Sequence, residues 1–182
     1  MQRTDGFVVQ PLSRADIRER TDQVRDALGI RTPRFPILDV IEWVLPEIWP
    51  DFAFEIIEPD EMRERFGPDT HGMTFPDELN MLIRRDVYEG AYRDLPLPRF
   101  SLTHEFGHLL MHGGVGMARR VALATPIYAN SEWQADTFAG ELLVSWKYIT
   151  WDDTVASIAR KFRVSHAAAR TMFNVFKEEG LL

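Results

Sequence analysis

Apolar positions Ile17, Val24 and Leu28 recur near helical spacing behind Ser13, with Asp16 in the first turn, so the pattern predicts a helix that Gly29 ends. Ile37 to Leu45 reads as a short apolar helix stopped near Pro46, with Trp43 turned into the core. Phe52–Glu58 is β-prone and partly alternating, and Asp60–Phe66 is a short charged helix. His71–Phe75 and Leu79–Arg84 read as two strands joined around Pro76-Asp77, and Asp86–Tyr92 as a helical turn. Pro96 and Pro98 break regular structure. A helix capped by Ser101 then runs to Met111 and ends in His112-Gly-Gly-Val-Gly116. A second strong helix covers 131–143, with Asn130 or Ser131 as cap. After an aromatic stretch, Asp152 or Asp153 caps Thr154–Phe162, Val164-Ser165 turns the chain, and His166–Glu179 is the last helix. The order predicts an α+β fold, a small and mostly antiparallel sheet packed against helices. Residues 1–145 form one domain and 146–182 a helical, helix-turn-helix-like C-terminal subdomain.

Composition narrows the chemistry. With 182 residues and 45% hydrophobic content the chain can build one sizeable core. The net charge of -7 gives no global attraction to nucleic acid. There is no cysteine, which excludes disulfides and thiolate metal sites, so any metal is held by His, Asp or Glu. Met1–Gln10 is a loose lead-in without the apolar core of a signal peptide. No run approaches the roughly 20 apolar residues that span a bilayer. The expected location is the cytoplasm.

One pentapeptide carries chemistry. His104-Glu105-Phe106-Gly107-His108 has the H-E-x-x-H pattern, and on a helix its two histidines lie one turn apart on one face. They would hold a zinc ion with Glu105 beside its bound water. The alternative is two partly buried histidines on an ordinary amphipathic helix. Gly107 costs about 1 kcal/mol relative to Ala inside a helix, and the sequence reading assigns it to clearance beside the metal. A third ligand has to come from elsewhere. On the 131–143 helix, Glu132 and Asp136 are four apart on one face, and the small residues Ala135 and Ala139 allow this helix to approach the first one closely. Glu132 then completes the ligand set, and Asp136 accepts the free ring N–H of His104.

Two blocks resemble the ImmA/IrrE family of metallopeptidases: Arg99-Phe-Ser-Leu-Thr-His-Glu-Phe-Gly-His-Leu-Leu-Met-His112 and Glu132-Trp-Gln-Ala-Asp-Thr-Phe-Ala-Gly-Glu-Leu-Leu143. Asp86-Val-Tyr-Glu-Gly-Ala-Tyr92 is similar to a further segment of that family. The resemblance implies a zincin-like active site, metal ligands at His104, His108 and Glu132, a catalytic Glu105, and cleavage of a DNA-binding repressor or antitoxin-like partner. The family's second helix commonly ends Leu-Leu-Met-Pro; here the chain reads Leu142-Leu-Val-Ser145, which bears on where that helix stops.

The expected function is a zinc-dependent endopeptidase, with manganese the alternative metal, since His₂-carboxylate sites accept both. His71, Tyr128 and His112 are the candidates for the donor that stabilises the oxyanion or contacts substrate. The strand Leu79–Arg84 is the candidate edge for a bound peptide. The competing function is a DNA-binding or partner-binding regulator with a structural or vestigial metal site. Arg160, Lys161, Arg163 and Arg170 give the tail a small basic cluster, but direct DNA contact is the less favoured role. The other reading of the tail is packing through Ile158, Phe162, Met172, Phe173 and Phe176.

Overall fold

The computed structural model describes residues 6–114 and 125–182, so the first half of the lead-in and Val115–Gly116 lie outside the described residues. The Ser13 hydroxyl accepts from the Asp16 N–H while the Asp16 carboxylate accepts from the Ser13 N–H, a reciprocal cap that starts α1 (Arg14–Ala27). The chain becomes helical again at α2 (Ile37–Asp39), widens into a π turn over Val40–Val44 and continues as α3 (Leu45–Ile48). Pro46 therefore does not stop the helix, contrary to the pattern reading. The widened turn makes room for a residue that lacks an N–H and whose ring crowds the turn before it. Ile37, Val40, Ile41 and Leu45 are buried, whereas Trp43 is 70% exposed. The expected core tryptophan lies on the opposite side of this helix.

β1 (Ala53–Ile57) leads through α4 (Pro59–Phe66) into a hairpin of β2 (Gly72–Phe75) and β3 (Asn80–Arg84). Strand order is β1-β3-β2; β3 pairs parallel with β1, Ala53 facing Asn80, and antiparallel with β2, Gly72 facing Ile83. The sheet is thus mixed rather than mostly antiparallel. Alternation along a strand reports which face is buried, not strand direction, and the crossover through α4 sets β1 parallel to β3. β3 is central, so the expectation that Leu79–Arg84 offers a free edge is corrected; the edges are β1 and β2. Met81 and Ile83 join the main core, while Leu82 packs on the other face with Ile57 and Met62.

After α5 (Arg85–Tyr92), α6 spans Pro96–Met111. Both prolines sit in its first turn, where a missing N–H has no intrahelical partner to lose. They begin the helix instead of breaking the chain before it, and Ser101 is interior rather than a cap. α7 (Ser131–Leu143) starts at Asn130, whose side chain accepts from the Glu132 and Trp133 N–H groups. It ends at Leu143, where the buried Arg25 side chain donates to the Leu142 carbonyl at 2.7 Å. Arg14 and Arg18 of α1 hold the buried Glu141.

α8 (Val155–Phe162) is capped by Thr154 with Ser157, not by Asp152 or Asp153. α9 (His166–Glu178) follows a Ser165 cap. Ile158, Phe162, Met172 and Phe176 are buried in the same core as α6 and α7, and Phe173 packs against it. Arg99 of α6 ties this tail down from inside. It is 1% exposed and donates to the Phe162, Arg163 and Phe35 carbonyls. Among the described residues no helix is long and apolar enough to cross a membrane.

Candidate metal centre

α6 and α7 lie side by side, and their contact fixes the site. Phe106 and Phe138 meet edge to face with centroids 5.9 Å apart. Gly107 is what lets them close: a Cβ there would sit 3.0 Å from the Phe138 ring. The clearance assigned to Gly107 is therefore for α7, not for the metal. Gly107→Val should lower stability by about 2 kcal/mol through overpacking, read by denaturant unfolding, with metal content unchanged. Loss of metal without loss of stability would restore the clearance reading.

His104 and His108 project from consecutive turns of α6, their Nε2 atoms 3.0 Å apart. Glu132, in the first turn of α7 where a helix N-terminus favours a carboxylate, reaches between them. Its Oε2 is 3.3 Å from His104 Nε2 and its Oε1 is 3.3 Å from His108 Nε2. Ligands on a tetrahedral ion with bonds of about 2.0–2.1 Å stand about 3.3 Å apart, so the three residues fit one zinc-sized cation. They are the metal-capable cluster found among the described residues. His104 Nδ1 lies 2.9 Å from Asp136 Oδ1. A carboxylate there accepts the Nδ1 proton, which leaves the Nε2 lone pair directed at the cluster.

Electrostatics agree with a cation site. Burial opposes a charged His104, yet hydrogen bonds to Asp136 and Glu132 outweigh it and raise the pKa to about 10. Burial also pushes the Glu132 carboxyl up, but His104 and His108 hydrogen bonds overcome this and hold it well below the usual range. The pocket favours positive charge between these side chains.

Glu105 turns toward the sheet and is buried. The Thr74 hydroxyl on β2 donates to Glu105 Oε2 at 2.7 Å. Gly72, two residues earlier on the same face, allows this approach, since a Cβ there would lie 2.8 Å from Glu105 Cγ. A cleft of about 750 Å³ opens over the cluster, walled by α6, the start of α7, β2 and the N-terminal segment at Phe7.

The three candidates for oxyanion or substrate contact separate. His71 lines the cleft with Nδ1 2.8 Å from Ser101 Oγ. Burial lowers its pKa. Tyr128 is 47% exposed on the turn Ile127–Ala129 and does not line the cleft. His112 is buried with both ring nitrogens engaged, Nδ1 at 2.9 Å from His108 Nδ1 and Nε2 at 3.1 Å from Gln134 Oε1. Burial, then the neighbouring His108, pushes its pKa down to about 4. Sequence reasoning missed Thr74 and Gln134. Thr74 alternates with Met73 and Phe75 on β2, a pattern that marks a shared face with Gly72 but not its target. Gln134 gave no signal beyond being polar among small and apolar neighbours.

The model of the family described as Peptidase_M78, IrrE N-terminal-like domain, matches residues 62–174. That span is more than half of the chain and contains α6, α7, β2 and β3. No curated protein matches the chain.

Proposed function

The chain belongs to the Peptidase_M78 family of IrrE N-terminal-like domains, and on that premise we propose that it is a zinc-dependent endopeptidase that cuts one specific intracellular protein, a helix-turn-helix repressor or antitoxin-like regulator. The observation that carries the reading is the pairing of a three-residue cation cluster with a buried Glu105 that is not part of it. A structural metal site has no use for a carboxylate held ready beside it.

In this reading His104, His108 and Glu132 hold the metal. The Lewis acidity of a zinc ion held by them would make water nucleophilic near neutral pH. Glu105 takes a proton from the attacking water as it adds to the peptide carbonyl, then delivers it to the leaving amine. Thr74 fixes Oε2 of Glu105, which leaves the other oxygen for the proton. Asp136 keeps His104 in the tautomer a ligand needs. His71 is the preferred oxyanion donor of the three candidates, because it faces the cleft and His112 is committed elsewhere. A peptide laid along β2, the edge that lines the cleft, would pass over Glu105 and the metal ligands. Direct DNA contact by the tail is not part of the proposal: Lys161 pairs with Asp153, and Arg163 lies 3.6 Å from Asp94.

Incubation with an extract of cells lacking the protein, followed by sequencing of new N-termini, should reveal a small set of cleavage events. Removing the metal with 1,10-phenanthroline should abolish them, and one equivalent of zinc should restore them. Cleavage that persists after exhaustive metal removal would overturn the proposal.

A further inference from the structure

We infer that His112 and Gln134 are positioning residues that set the tautomer of His108 through a relay anchored on the backbone. The inference rests on the reading of His108 as a metal ligand. The relay is legible because its far end has a fixed direction. Gln134 Nε2 lies 2.7 Å from the Gln10 carbonyl and 2.8 Å from the Tyr128 carbonyl. Carbonyls only accept, so this end of the amide is the NH₂ and the other is the oxygen. That oxygen faces His112 Nε2 at 3.1 Å, which must then carry a proton. A neutral imidazole protonated at Nε2 presents a lone pair at Nδ1. His112 Nδ1 faces His108 Nδ1 at 2.9 Å, so the proton between them belongs to His108. His108 Nε2 is left with its lone pair, aimed at the cluster with His104 and Glu132.

The two ligand histidines are thus oriented by different chemistry. His104 has a carboxylate behind it and His108 has a neutral chain, so the site gains orientation at His108 without a further negative charge. Gln134 and His112 are 1% and 7% exposed, which keeps water from offering either an alternative partner. The anchors also link the centre to the docked N-terminal segment, whose Val9 N–H donates to the Ala129 carbonyl and whose Val8 bridges Asn130.

The direct test is ¹⁵N NMR of the histidine-labelled, zinc-loaded protein. The expected spectrum has His112 protonated at Nε2 and bare at Nδ1, with His104 and His108 protonated at Nδ1. His112 protonated at Nδ1 would overturn the relay. Gln134→Leu, which removes the acceptor, should weaken zinc binding about 10- to 100-fold against a competing chelator. Unchanged affinity in a folded Gln134→Leu protein would also overturn the relay, and the wild-type spectrum decides the matter if that variant does not fold. Wild-type protein that takes up no zinc would overturn the metal reading itself, whereas zinc bound with the opposite His112 tautomer would overturn the relay alone.

Discussion

Glu105→Gln is expected to abolish cleavage and leave the metal in place. The amide has nearly the shape of the carboxylate and can still accept from the Thr74 hydroxyl, which lies 2.7 Å from Oε2 in the native protein. What it loses is basicity. A general base of this kind contributes about 10²- to 10⁴-fold to rate, so no new N-termini should appear in an extract at times when the native enzyme has finished. None of the three cluster donors comes from Glu105, so metal content should match wild type. Cleavage within tenfold of wild type would remove Glu105 from the mechanism. Loss of metal along with activity would instead make it part of the cation site.

The second large effect is on stability. Arg99 is buried, and its guanidinium donates to the Phe162 carbonyl at 3.0 Å, the Arg163 carbonyl at 2.6 Å and the Phe35 carbonyl at 2.7 Å. Asp94 lies 3.2 Å from its Nε. Burial lowers its pKa to about 10, against the pull of Asp94, so it stays charged at neutral pH. Arg99→Met keeps much of the volume but takes the buried donor from the Phe162 and Arg163 carbonyls, while the Phe35 carbonyl keeps the Ile37 N–H and the Asp94 carboxylate keeps Arg34. Breaking a buried charge network of this sort costs about 3–5 kcal/mol, which lowers the Tm by roughly 10 °C for a chain of this size. Lysine should rescue little, because one ammonium cannot span three carbonyls as the planar fork does. Calorimetry checks both variants. A loss under about 1 kcal/mol for Arg99→Met would mean that the tail is held by its apolar contacts alone.

The contrast between these two residues describes what the sequence disclosed. Helical periodicity and spacing put His104 and His108 on one face and Glu132 with Asp136 on another, and those relations are local. The partner of the two faces followed from small residues at 135 and 139. Arg99, Thr74 and Gln134 act on groups far along the chain: a carbonyl 64 residues away, a carboxylate 31 away, a histidine 22 away. A periodic pattern marks such residues as inward-facing but does not say what they meet. Strand direction was hidden for the same reason, since β1 and β3 are paired across a helix and another strand. Pro46, Pro96 and Pro98 misled because proline was read as a stop. Its effect depends on place: it is tolerated in a first turn and beside a widened one. Trp43 misled because it was read from its apolar character rather than its place: Ile37, Val40, Ile41 and Leu45 hold the buried face, and Trp43 is 70% exposed.

The chemistry of the site stands on His104, His108 and Glu132 together holding one metal ion. Metal analysis of purified protein beside Glu132→Ala tests it most directly. Close to one zinc per wild-type chain is expected, with strong depletion in the variant after dialysis against a mild chelator and the fold of both unchanged. Equal metal in the two proteins would contradict it.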